Sequence, residues 1–168
     1  LKNDNSLSAC FGQVAGLDYN KTKKKSYFID YGSSLKDYSI SQTNPLDRLF
    51  FAFNSYRSFS PYAVFRKKNF ETIWSNIETC SCLELTEYEH AINTLLLGQI
   101  KTIDEIFWIR SQELDSIDSK LDGSRKNNFK KWYKDKFFED EVKKFKKRVS
   151  KNITFHLEYS LNEALNLL

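Results

Sequence analysis

The chain contains no methionine and few residues that interrupt regular structure. Only 5 glycines and 2 prolines occur in 168 residues, which favours long helices over many short strands and turns. Because Met is absent and residue 1 is Leu, we expect the numbered chain to begin after the translation start. Apolar residues make up 40% of the sequence and aromatic residues 15%, enough for a folded core. We therefore expect one domain over residues 1–168.

Cysteines and long apolar runs are also scarce. Cys10, Cys80 and Cys82 show no repeated spacing, and only two histidines could join them. A structural zinc site needs four such ligands, and a disulfide framework usually has an even, denser set. No run approaches the roughly 18 apolar residues of a membrane span, and residues 1–8 lack the apolar core of a secretory signal. We expect a soluble cytoplasmic protein with reduced thiols, no metal, no cofactor and no membrane partner.

Positive charge is concentrated in one segment near the carboxyl end. Residues 124–152 hold 12 of the 26 Lys and Arg but only 4 of the 22 Asp and Glu, a local charge of +8 against −4 for the rest of the chain. Six aromatic residues lie among these cations. Lysines attract phosphates and flat side chains stack on bases, so nucleic acid is the first partner to consider. The lysines predicted to contact it are Lys130, Lys131, Lys134, Lys143, Lys144 and Lys147.

The apolar pattern of this segment predicts that its helix either breaks near residue 137 or is wedged between two layers. At 100° per residue, the aromatic residues before position 137 share one face, and the apolar residues after it share nearly the opposite face. The lysines of the two halves then point in different directions, so one continuous basic stripe is not expected. Residues 84–122, with nine acids and three bases, are an alternative partner that would neutralise the segment within the molecule.

Local signals predict a hairpin followed by several helices. Residues 9–19 and 26–31 are apolar and β-prone on either side of a polar loop, which is typical of a β-hairpin. Pro45 opens a helix with an apolar face, and a second apolar repeat follows at residues 70–77. Two Thr-x-x-Glu capping boxes then predict two more helix starts, and His90 falls on the solvent side of the first of these helices. The boxes are Thr86 with Glu89 and Thr102 with Glu105.

The sequence therefore predicts a mainly α fold. Five to six helices would form a bundle over residues 44–168, beside a small N-terminal hairpin at residues 9–31. The segment after Thr102 continues as a heptad-like seam to Leu121, which supports a long helix there. One alternative stays open, because residues 153–159 alternate strictly between apolar and polar. That pattern is typical of a half-buried strand, which would give an α+β fold with a third strand beside the hairpin.

A short constellation at the end of the basic segment carries possible chemistry. The run Lys151-Asn152-Ile153-Thr154-Phe155-His156 resembles the motif of HEPN-type helical domains of prokaryotic toxin and phage-defence ribonucleases. In that motif an Arg, a polar residue, a short spacer and a His occur on a late helix. Here Lys151 stands where the family has Arg, and it lacks the planar fork that grips two phosphate oxygens. Arg148 is the other candidate for that cation.

The resemblance implies metal-independent cleavage of RNA at a site shared between two protomers, and hence a homodimer. His156 would exchange a proton near the scissile phosphate, and Lys151 or Arg148 would oppose the phosphate charge. A non-catalytic relative that binds RNA would fit the lysine equally well. The chain is thus a ribonuclease if it is catalytic at all.

A protein-binding module is the alternative function. Residues 48–68 also interleave basic and aromatic side chains. Such a run is more often core with a charged rim than a binding face, but residues 56–62 have the Tyr and Arg content of a protein-interface hot spot. An immunity or inhibitor protein that recognises a toxin or another partner protein would have such a surface. The sequence contains no phosphate-binding glycine loop or nucleophile elbow, which argues against ordinary metabolic enzymes.

Overall fold

The fold is α+β, so the prediction of a mainly α bundle is wrong. In the described ranges the chain forms four helices and a four-stranded mixed sheet. The helices are α1 (Pro45–Asn54), α2 (Lys67–Trp74), α3 (Leu83–Leu97) and α4 (Glu139–Leu157). The computed structural model describes residues 1, 3–20, 25–30, 38–54, 56–57, 62–75, 77–78, 82–111 and 133–157.

The sheet is organised around β1 (Leu7–Asn20). It pairs antiparallel with β2 (Lys25–Asp30), which confirms the predicted hairpin, and with the short β3 (Val64–Phe65). On its other edge it pairs in parallel with β4 (Gln99–Ser111). The amino-terminal third of the chain is thereby joined to a strand about 90 residues further along.

β4 occupies a region for which the capping box at Thr102 predicted a helix. Its isoleucines recur at steps of three, which fits a helix, but they are also β-branched and favour an extended backbone. Pairing with β1 decides between the two, and the Thr102 N–H donates to Ser39 Oγ at 3.0 Å instead of starting a helix. The rest of the predicted seam, residues 112–121, lies outside the described residues.

Gly12 permits the close approach of β1 to β4. A Cβ at this position would lie 2.4 Å from the Glu105 carbonyl oxygen and 3.1 Å from Phe107 Cβ. The register between the two strands shifts between Phe11 and Gln13, on either side of this glycine. A β-bulge at this point therefore requires a residue without a side chain.

Helix starts agree with the sequence to different degrees. α1 begins at Pro45 as predicted, and Asn44 Oδ1 accepts a hydrogen bond from the Leu46 N–H at 2.8 Å. α3 begins at Leu83, so Thr86 lies inside the helix rather than at its cap. Of the two alternatives for the apolar switch near residue 137, the structure shows the break: Asp135 is extended and caps a 3₁₀ turn at Lys136–Phe138 that precedes α4.

Residues 153–157 form the last turn of α4. The alternative that made residues 153–159 the third strand is therefore wrong over this stretch, and residues 158–159 lie outside the described part. The strict alternation of apolar and polar residues does not decide the structure here, because packing against α3 favours a helix. Ile153 and Val149 are one helical turn apart, and both are buried against α3.

Apolar clusters link the sheet to α3 and α3 to α4. The first lies between the sheet, α1 and α3, and includes Phe11, Ile40 and Leu95. The second joins α3 to α4 through Ile92, Leu96, Val149 and Ile153. Because α3 contributes to both clusters, it lies between the sheet and α4.

The buried Arg48 ties α1 to the end of α3. Its Nε donates to the Leu95 carbonyl at 2.6 Å and its Nη2 to the Leu96 carbonyl at 3.3 Å. Nη1 donates to two carbonyls of the segment before α1, Gln42 at 3.0 Å and Thr43 at 2.6 Å. The last carbonyls of a helix lack internal partners and carry its negative dipole end, so a buried guanidinium is well accommodated there.

His90 is buried, contrary to the prediction of a surface residue. It is 1% exposed and packs against the rings of Phe65 and Trp74, with centroids 5.4 Å and 4.7 Å away. Neither of its ring nitrogens has a hydrogen-bond partner among the residues described. Burial lowers the pKa of His90 from 6.5 to about 4.

This pKa predicts a specific loss of stability in acid. The unfolded chain binds a proton at His90 below about pH 6.5, whereas the folded chain does so only near pH 4. Above about pH 6.5, His90 is neutral in both states and does not lower the free energy of unfolding. As the pH falls from 6.5 to about 4, the free energy of unfolding drops by up to about 3 kcal/mol, because the unfolded chain binds a proton that the folded chain does not. Urea unfolding of the wild type and His90→Leu between pH 7 and pH 4 measures the difference. Equal pH slopes for the two proteins would contradict a buried neutral imidazole.

Candidate functional site

α4 carries the residues of the predicted catalytic motif, and two of its polar side chains bind α3 instead of facing a substrate. Arg148 Nε and Nη2 donate to the two carboxylate oxygens of Glu89, each at 2.9 Å. One turn further along both helices, Asn152 Nδ2 donates to Asn93 Oδ1 at 2.9 Å. Both pairs join residues 59 positions apart, so α3 and α4 run parallel in this region.

The Glu89–Arg148 pair is largely removed from water. The Glu89 side chain is 1% exposed and that of Arg148 is 18% exposed. Arg148 Nη1 also donates to Glu78 Oε2 at 3.0 Å, so two carboxylates surround one guanidinium. Glu89 belongs to the acidic region predicted to neutralise the basic segment, and it does so for Arg148.

The three residues predicted to be catalytic are not brought together. Lys151 is exposed and lies beside Arg148 and Glu78 at a shallow cavity of about 310 Å³. His156 follows five residues later on the same continuous helix, which turns its side chain about 140° away. It is half-buried, and its pKa is lowered by burial and by the positive charge of Arg48. The catalytic assignment of His156, Lys151 and Arg148 stays a prediction.

Lysines of α4 form an exposed face. Lys144, Lys147 and Lys151 lie within about 60° of one another around the helix axis. All three are exposed, and no described carboxylate forms an ion pair with them. Val149 and Ile153 occupy the opposite side of the helix and are buried. We call Lys144, Lys147 and Lys151 the basic face.

The other predicted lysines have different surroundings. Lys143 is exposed, but its ammonium pairs with Glu139 at 2.7 Å. Lys134 is exposed just before the 3₁₀ turn. Lys130 and Lys131 lie outside the described residues.

Two aromatic side chains of this region are exposed. Phe155 follows Lys151 by one helical turn and is 81% exposed, and its ring edge meets His156 at a centroid distance of 5.1 Å. Phe137 precedes α4 and is also largely exposed. Phe155 can thus offer a flat apolar face beside the lysines.

An apolar cavity of about 610 Å³ opens between α1, α3 and α4. Sequence reasoning predicted the apolar face of α1 but not that this face would line a cavity. Lys146, which the sequence prediction omitted, lies at this cavity with its ammonium 5.1 Å from the centre of the Tyr133 ring. The cavity is lined by Leu46, Leu49, Phe50, Phe53, Asn54, Tyr56, Leu85, Tyr88, Ile92, Tyr133, Phe145, Lys146 and Ile153.

Metal ligands are not clustered in the described part of the chain, where no group of three or more His, Cys, Asp or Glu side chains could hold an ion. Cys10 and Cys82 form no disulfide within the described part of the chain, and Cys80 lies outside it. None of the described helices combines the length and apolar character needed to cross a membrane. Comparison with protein-family models, curated proteins and solved structures gave no match.

The Glu89–Arg148 pair predicts a large cost for removing one partner. Arg148→Met should lower the free energy of unfolding by about 3–5 kcal/mol, because it leaves a buried carboxylate without its guanidinium. Glu89→Leu combined with Arg148→Met should lose less than Arg148→Met alone, since no buried charge then remains. Urea unfolding at neutral pH measures both. A loss below about 1 kcal/mol for Arg148→Met, as for exposed ion pairs, would contradict this account.

Proposed function

We propose that this protein binds single-stranded RNA through the basic face of α4 and does not cleave it. The observation that carries the proposal is that Lys144, Lys147 and Lys151 face solvent together, without an ion-pair partner in the described chain. Unpaired ammonium groups attract phosphates and release the counterions that surround them. Their common direction makes simultaneous contact with one strand geometrically feasible.

The spacing along α4 supports a strand rather than a single phosphate. Lys144 and Lys151 are seven residues apart, about 10 Å along the helix. Phe155 lies one turn beyond Lys151 and is almost fully exposed. A base stacked on this ring, with phosphates along the lysines, is the arrangement used by proteins that bind single strands with little sequence preference.

The positions of the motif residues favour binding over catalysis. Both carboxylate oxygens of Glu89 and one of Glu78 accept hydrogen bonds from Arg148, so a phosphate would have to displace them. His156 and Lys151 diverge on the helix, which separates the proton carrier from the cation. The toxin or phage-defence setting that the HEPN-type resemblance implies stays a prediction, and it no longer has the support of a mainly α fold.

Salt dependence tests RNA binding directly. With about three phosphates contacted, log K for a mixed-sequence single strand should fall against log salt with a slope near −2. Replacing Lys144, Lys147 and Lys151 by Gln should remove most of the affinity and flatten the slope, because the contacted charges are gone. Phe155→Ala should weaken binding by roughly 1–3 kcal/mol without changing the slope.

A matched control variant loses three positive charges at a different surface. Lys67, Lys68 and Lys101 are exposed on α2 and β4, and their combined replacement by Gln should leave the slope nearly unchanged. Equal losses of affinity in the two triple variants would show that any binding depends on net charge alone and not on the basic face. Absence of RNA binding by the wild type at low salt would reject the proposal.

Protein binding is a second candidate, and β4 is the observation that favours it. Apart from a bridge between Ile40 and Ile100, no described strand pairs with its outer edge. Ile103, Ile106 and Ile109 are exposed along it. An apolar edge strand of this kind can accept a strand from another chain, including a second copy of this protein. A failed RNA titration would leave this candidate.

A further inference from the structure

We propose that the cavity between α1, α3 and α4 binds a small amphipathic anion, namely a carboxylate attached to a free acyl chain. This inference concerns a different site from the basic face and does not depend on RNA binding. It rests on the size of the cavity, its apolar lining and the single cation beside it.

The cavity has the size and lining of a small-molecule site. Its volume of about 610 Å³ falls inside the range of roughly 300–1,000 Å³ typical of such sites. Leu85 and Ile153 are buried and bring the lining into contact with the core, whereas Phe50 at the cavity is 67% exposed. An exposed phenylalanine beside an apolar recess loses unfavourable contact with water when an apolar ligand binds.

Among the described residues of this lining, Lys146 alone is charged. Its side chain is half-buried and its ammonium lies 5.1 Å from the centre of the Tyr133 ring. Within the described residues no carboxylate forms an ion pair with it, whereas Lys143, three residues earlier, is paired with Glu139. A ligand carboxylate would neutralise this ammonium while the chain fills the recess, and a cationic ligand would be repelled.

The shape of the site favours one small ligand over a helix of a partner protein. Three helices surround the recess, and its lining reaches Ile153 in the α3–α4 core. Leu85 and Ile153 in this lining are almost completely buried, so a flexible acyl chain can reach between the helices. The half-buried Lys146 beside it matches one anionic head group.

Calorimetric titration with decanoate, 1-decanol and decylammonium, each below its aggregation concentration, tests the proposal. Decanoate should bind most tightly and decylammonium most weakly, because only the head group differs. Lys146→Met keeps the length of the aliphatic stem and removes the ammonium, so it should weaken decanoate binding about three- to tenfold and leave decanol unchanged. Phe50→Ser should weaken both decanoate and decanol.

Lys68→Met is the matched control, since Lys68 is an exposed lysine on α2, away from the cavity. It should leave all three affinities unchanged. Equal affinities for decanoate and decanol, or no effect of Lys146→Met in a protein with native circular dichroism, would overturn the assignment of a carboxylate ligand. Failure of both decanoate and decanol to bind would also overturn the assignment. Self-association that Phe50→Ser abolishes and decanoate does not compete would assign the cavity to a protein surface instead.

Discussion

The buried ion pair between Glu89 and Arg148 is the constraint on which the functional surfaces depend. A carboxylate that is 1% exposed must be matched by a cation, and both oxygens of Glu89 accept hydrogen bonds from one guanidinium. This fixes the rotation and the register of α4 on α3, and the Asn93–Asn152 hydrogen bond repeats the same offset one turn later. A side chain that the motif assigned to phosphate binding therefore docks a helix, while the basic face remains directed outward.

Arg48 has a corresponding role at the other end of α3. It donates to the carbonyls of Leu95 and Leu96, which have lost their helical partners, and to two carbonyls ahead of α1. These bonds hold α1 at the carboxyl end of α3, while the ion pair holds α4 along the same helix. The apolar cavity lies between α1, α3 and α4, the three helices that Arg48 and Arg148 hold together through protein acceptors in place of water.

Features encoded by neighbouring residues were predictable, and features encoded by distant ones were not. The β1–β2 hairpin, the start of α1 at Pro45 and the break before α4 each follow from a few consecutive side chains. β4 was missed because its isoleucine spacing fits a helix as well as a strand, and only pairing with β1 decides. The partners of Arg148, and the partners of Arg48 on α3, lie 47 to 70 residues away in the sequence, and no local period contains that information. His90 was misassigned because α3 is covered on more than one side, by α2 and β3 as well as by α4.

Native-state hydrogen exchange of α3 and α4 tests the central claim most directly. If the buried ion pair holds α4 on α3, the amides of residues 149–153 and 92–96 should exchange through one shared opening of the two helices. Both sets of amides should then show the same free energy of opening and the same dependence on denaturant, because neither helix opens while the other stays folded. Exchange of the α4 amides near the rate of an unfolded chain, with α3 still protected, would contradict the account. Arg148 would then be separated from Glu89 for much of the time and could bind a phosphate.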